Sequence, residues 1–147
     1  MIRRAHAGES EIIADVFERS HSTQTFLPRV HTLDEWREFF AQRIAQDDVC
    51  VWDEDCTVLA FMILRGNDEL FHLYVEPSET GRGIGTALLD HARRELPGGF
   101  TLWTFQQNEG ARRFYERHGL RAIAFGDGSG NEEGVPDVQY EWRPTPP

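Results

Sequence analysis

Short apolar runs alternate with polar turns along the chain, and the spacing within each run predicts its element. Ile2–Ala5 reads as a brief opening strand. Ile12, Ile13, Val16 and Phe17 recur at helical spacing and predict one buried helix face. Polar residues 21–25 end that helix, and residues 26–30 continue as an extended connection. Thr32 with Glu35 forms a capping box before a second helix, whose stripe is Leu33, Trp36, Phe40 and Ile44. Three strands are expected next, Val49–Trp52, Thr57–Leu64 and Leu70–Val75, divided by polar turns at 53–55 and 66–68. Connections this short imply antiparallel hairpins. Pro77 has no N–H to give to a ladder and should end the third of them.

Ile84, Ala87, Leu88, His91 and Ala92 mark a third helix that stops before Pro97. Phe100–Phe105 reads as another strand. Asn108 can cap a fourth helix that buries Ala111, Phe114 and Tyr115, and Gly119 suits its C-terminal end. Arg121–Phe125 and Val138–Trp142 are the last strands, joined by a polar, glycine-rich loop, and the tail from Arg143 to Pro147 is expected to fray. The order βααβββαβαββ is a mixed α/β (α+β) pattern without repeat or linker, and 147 residues fit one domain spanning 1–147.

Composition narrows the function. Ten Phe and four Trp can fill a core. No stretch approaches the roughly 18 apolar residues of a membrane span. The N-terminal MIRRAHAGES lacks the apolar run of a secretory signal, so a cytoplasmic protein without membrane attachment is expected. A net charge of −10 argues against nucleic-acid binding and permits a cationic substrate, although acidic surfaces also serve solubility. All 15 basic residues are Arg, which excludes a lysine Schiff base and a Walker lysine. Cys50 and Cys56 are too few for a disulfide framework and are expected to be two reduced, packed thiols.

The informative segment is LYVEPSETGRGIGTALLDHARREL, in which a strand leads through Gly81, Gly83 and Gly85 into a helix. Glycines let backbone N–H groups converge on an anion, and the helix N-terminus adds partial positive charge. A pyrophosphate suits such a cradle; a tight strand-to-helix turn without ligand is the other reading. A Rossmann fingerprint fails because Leu88 stands where its third glycine belongs.

Thr80-Gly81-Arg82-Gly83-Ile84-Gly85 resembles the Gln/Arg-x-x-Gly-x-Gly/Ala signature of the GNAT superfamily of N-acetyltransferases, with Thr80 in place of Gln or Arg. Asn108, Ala111, Phe114, Tyr115 and Gly119 match that family's second signature, with Leu120 replacing a final Phe. The resemblance covers essentially the whole chain. It implies a mostly antiparallel sheet of about seven strands with four helices, strands four and five splaying apart beside a bulge. It also implies acetyl-CoA as co-substrate, with Thr80, Gly81, Arg82, Gly83, Ile84, Gly85 and Thr86 around the pyrophosphate. Tyr74, Val75 and Asn108 would meet the pantetheine arm. Tyr115 would be the general acid for the departing thiolate.

Direct transfer to an amine also needs a path for the amine's proton. His72, Glu69 or a water relay can supply it, and in a regular strand residues three apart face opposite sides, so only one of the two side chains should enter the cleft. The remaining histidines are scattered, show no metal spacing and read as surface or capping residues. The loop GDGSGNEEGVPD fails as a calcium loop, because Glu132 and Val138 stand where glycine and a bidentate glutamate are required. Glu132, Glu133 and Asp137 in that loop, flanked by Tyr140 and Trp142, can instead hold a cationic acceptor; a solvated acidic loop is the other reading. The function expected is acetyl-CoA-dependent acetylation of a small amine; alternatives are a protein N-terminus or lysine as acceptor, and a CoA-binding regulatory module. A homodimer stays open.

Overall fold

A computed structural model describes residues 1–145, so Pro146 and Pro147 of the tail expected to fray lie outside the described residues. The elements run β1 (Ile2–Arg4), α1 (Ser10–Ser22), α2 (Leu33–Gln46), β2 (Asp48–Glu54), β3 (Thr57–Arg65), β4 (Glu69–Val75), α3 (Ile84–Glu95), β5 (Phe100–Phe105), α4 (Glu109–Arg117), β6 (Arg121–Gly126) and β7 (Asp137–Trp142). Short 3₁₀ turns at Ala7–Glu9 and Pro77–Glu79 complete the path. The strands form one sheet in the order β1-β2-β3-β4-β5-β7-β6, and only β4 and β5 pair in parallel.

Alternation along the strands divides the core into two layers. Val49, Val51, Phe61 and Ile63 pack under α1 and α2, while Cys50, Ala60, Met62 and Leu64 pack under α3 and α4. In α1 the buried residues are Ile13, Ala14, Val16 and Phe17, and Ile12 is exposed. Ile12 and Ala14 flank the Ile13–Val16–Phe17 face on opposite sides, and the side turned to the core is that of the small Ala14. In α2 the capping box forms, with Glu35 N donating to Thr32 Oγ1 and Thr32 N donating to Glu35 Oε1.

The β2–β3 connection is a two-residue turn in which Asp55 and Cys56 both take left-handed φ, at 52° and 65°. Such a turn follows the strands' natural twist. It places Cys56 in the solvent, so of the two thiols expected to pack only Cys50 does. Burial pushes the Cys50 thiol up to about 12, which leaves no thiolate at neutral pH.

One irregularity sets which side chains β4 presents to each face of the sheet. In the β3–β4 ladder Ile63 pairs with His72 and Leu64 with Leu70, leaving Phe71 as the extra residue of a β-bulge. Glu69, paired with Arg65, and His72, paired with Ile63, therefore share a face of the sheet. Regular alternation predicts opposite faces; a single inserted residue reverses that parity. Beyond Glu69, which pairs with Thr101, β4 makes no further ladder with β5, so the two strands splay as expected.

Candidate active site

The splay opens a cavity of about 560 Å³, walled by Leu70–Val75 of β4, Leu102–Thr104 of β5, the glycine loop and α4. Gly81 and Gly83 hold left-handed φ of 81° and 84°, and a side chain on either would project into open space. Gly83 caps α3 without any side-chain hydrogen bond. The first N–H groups of this helix thus have no capping partner and face the cavity with the helix dipole behind them. Gly85 serves packing instead: a Cβ there would meet the Phe114 ring at 3.3 Å.

Thr80, Thr86, Val75 and Asn108 also line this cavity. The Arg82 side chain does not; it pairs with Glu79 at 2.6 Å and Glu54 at 3.0 Å, on the outer side of the loop. His118 fixes Thr86: its Nδ1–H donates to Phe114 O at 2.8 Å, so Nε2 accepts from Thr86 Oγ1 at 3.0 Å. Asn108 Oδ1 accepts from Ala111 N at 3.1 Å, capping α4 and setting Tyr115 one turn further on. Tyr115 is 7% exposed, reaches the cavity wall and makes no hydrogen bond from its hydroxyl to a described residue. Burial, with Tyr74 nearby, raises its phenol above the ordinary range.

On the other face lies a second cavity of about 860 Å³, between α1, α2 and the loop joining β6 to β7. Trp36, Phe39 and Phe105 give it aromatic walls, and Asp34, Glu35, Glu38, Glu132 and Glu133 give it five carboxylates. No arginine lines it. The two cavities share a wall at the splay, where Phe71, His72, Tyr74 and Trp103 line both.

The family model described as the acetyltransferase (GNAT) family matches residues 13–120. The chain belongs to this family. The peptidyl-lysine N-acetyltransferase YjaB of Salmonella typhimurium is 32% identical over 123 residues, covering 82% of each chain. The peptidyl-lysine N-acetyltransferase YiaC of Escherichia coli is 32% identical over 73 residues, covering 50% of this chain and 49% of that one. The solution structure of apo-form YjaB from Escherichia coli has a TM-score of 0.80 at 23% identity, covering 99% of this chain and 98% of that one. PaiA N-acetyltransferase from Thermoplasma acidophilum, solved with coenzyme A, has a TM-score of 0.79 at 20% identity, covering 97% and 98%. These structures share the fold.

Within this GNAT chain the structure separates the residues singled out from the sequence. His72 stands at the junction of the cavities, ringed by Phe17, Phe39, Phe40, Phe61 and Phe71, with Nδ1 buried and without a partner. Desolvation, with Arg65 and Arg43 adding to it, pulls its pKa down to about 3. Glu69 lines neither cavity, because it sits where β4 and β5 still pair. Tyr74, placed with the pantetheine residues on sequence grounds, points to the face of Phe17 and Phe61 and so borders the second cavity too. Burial, and the charge of Glu133, push its phenol up to about 12.

Asp137 does not reach the second cavity; its carboxylate accepts from Asn131 Nδ2 at 3.1 Å and pins the loop from inside. Tyr140 is fully buried and donates to Glu116 at 2.5 Å, and Trp142 packs on Phe100, so neither flanks the acidic loop as an aromatic wall. His21 and His31 line the second cavity, a placement that no local pattern of the chain announces. Trp36, Phe39, Asp34 and Glu38 there were missed as well; the only signal for them was a helix whose polar face is acidic and whose stripe is aromatic. Among the described residues no group of three or more His, Cys, Asp and Glu is placed to hold a metal ion. No described helix is long and apolar enough to cross a membrane.

Proposed function

We propose that this chain transfers an acetyl group from acetyl-CoA to the nitrogen of a cationic alkylamine. The observation that carries this reading is the junction at Phe71, His72, Tyr74 and Trp103, four residues that line both the cavity beside the glycine loop and the acidic, aromatic cavity. Uncapped amides at the start of α3, beside glycines with open space over them, fit a pyrophosphate. Val75 and Asn108 line the route from there to Tyr115 and fit the pantetheine arm.

In this reading the residues divide the chemistry between them. The edge of β4 that β5 leaves unpaired holds the thioester, and Tyr115 donates its phenolic proton to the departing thiolate. The nitrogen attacks the carbonyl carbon as the C–S bond breaks, and the proton it sheds restores Tyr115. His72 is neutral above about pH 3 and offers the amine a hydrogen-bond acceptor rather than a strong base, so water in the open second cavity carries the first proton away. Glu132 and Glu133 draw the cation in.

A small amine and a lysine side chain present the same alkylammonium. The lysine reading draws support from the width of the second cavity and from the names of the YjaB and YiaC relatives. The test is thiol release from acetyl-CoA in the presence of alkylamines and lysine peptides. Amine-dependent release is expected, and release that no amine accelerates would overturn the proposal.

A further inference from the structure

The five carboxylates of the second cavity differ in how they are engaged. Asp34 accepts from Arg37, Glu35 from Thr32 and His31, and Glu38 from Gln42. Glu132 is held by His31 Nε2 at 2.7 Å. Glu133 is half-buried, lines the cavity, and makes no hydrogen bond or ion pair with a described residue. It is also the carboxylate whose charge reaches Tyr74 at the junction and His21 on α1.

A carboxylate beside the reacting nitrogen would oppose the reaction. An alkylammonium has a pKa of about 10, so only about 0.1% is neutral at pH 7, and a neighbouring negative charge lowers that fraction further. The junction is built the other way: Phe71, His72, Tyr74 and Trp103 surround it with rings and no carboxylate, and desolvation there favours the neutral amine. The acidic groups belong to α2 and the β6–β7 loop, whereas the junction is formed by β4 and β5, and of the five carboxylates Glu133 is the one whose charge reaches Tyr74. Aromatic faces of Trp36, Phe39 and Phe105 join the two regions and suit a methylene chain or a cation lying across them.

We propose that Glu133 is the specificity-determining residue of the acceptor cavity, and that it holds a second, non-reacting ammonium group of the acceptor while the reacting nitrogen occupies the aromatic junction. The acceptor class is then a linear diamine, or a lysine followed by another basic side chain, rather than a monoamine. This rests on the acetyl-transfer reading above.

The experiment compares initial rates of acetyl-CoA consumption with n-butylamine, n-hexylamine, 1,4-diaminobutane, 1,6-diaminohexane and Nα-acetyl-lysyl-lysine amide. At least one dication should exceed its matched monoamine in kcat/KM by about tenfold or more, the scale of a partly buried charge contact. Glu133→Gln, a change on a loop that leaves every recorded hydrogen bond in place, should raise the dication's KM and erase that preference. The monoamines' kcat/KM should fall by clearly less than the dication's, and the KM for acetyl-CoA should stay within about twofold. The ranking of the diamines against the dipeptide identifies the source of the second cation. Equal rates for monoamines and dications, or an equal loss for both in Glu133→Gln, would overturn the proposal while leaving acetyl transfer standing. No transfer to any of the five would overturn the transfer reading and this proposal together.

Discussion

Tyr115 shows how much one side chain owes to its surroundings. Burial keeps its phenol protonated, its ring packs edge-on against Phe114 and tilted against Tyr140, and its hydroxyl has no competing partner among the described residues. Those are the requirements for a proton donor held in reserve. Tyr115→Phe removes the proton and keeps the ring, so the loss should fall on the transition state. We expect kcat to drop about 10²-fold or more with little change in KM for acetyl-CoA. Steady-state kinetics of the purified variant check this, and wild-type turnover would pass the role to water. Much of this residue's setting was legible in the chain, because Asn108, Tyr115 and Gly119 belong to one short helix whose cap and stop are local. His72 was legible only by position. Its depressed pKa comes from aromatic rings on α1, α2 and β3, brought together by tertiary packing.

At the scale of elements, the glycine loop and α3 form a unit that local sequence specifies almost completely. The left-handed turns need glycine, the helix begins where the turn ends, and its free amides follow from geometry alone. Gly83→Val tests the unit. A β-branched residue at φ 84° costs roughly 1–2 kcal/mol, well inside a domain's usual 5–15 kcal/mol, and its Cβ meets no protein atom within 4 Å. The variant should therefore stay folded by circular dichroism and bind CoA at least about tenfold more weakly by calorimetry, since both the space and the amide positions of the cradle change. Unchanged affinity would remove the loop from the binding site. The bulge at Phe71 lay beyond such reasoning. No residue in ELFHLYV announces an inserted position, and its register shows only against β3. Once it is known, Glu69 and His72 fall on one face, and the splay from β5 excludes Glu69 from the cavities.

The whole molecule adds what no single element contains. The second cavity is bounded in part by the β6–β7 loop, which crosses to the α1–α2 connection, where Glu132 meets His31 across 101 residues of sequence. Separations of that size leave no local pattern, which is why His31 reads as a surface residue in the chain and as a clasp in the fold. Several charged groups surround it. Glu132 and Glu133 approach from the loop, Glu35 and Asp34 from α2, Glu18 and His21 from α1, and Arg29, itself paired with Glu18, from the connection. The hydrogen bond that His31 donates to Glu132 contributes most to raising the His31 pKa above 6.5, and Glu35 adds to it. A raised folded pKa means that the clasp contributes fully below about pH 6.5 and weakens as pH climbs through the folded value. Two measurements follow from that sign. The His31 ring resonance should titrate above 6.5 in the intact protein and lower in Glu132→Gln. Amide exchange of residues 127–136, corrected for its intrinsic pH dependence, should quicken as the imidazole loses its proton, and less so in the variant. A midpoint that Glu132→Gln does not move would show that the two groups do not hold the loop, which would then rest on the contacts of Asn131 with Val135 and Asp137 and of Gln106 with the loop's two ends.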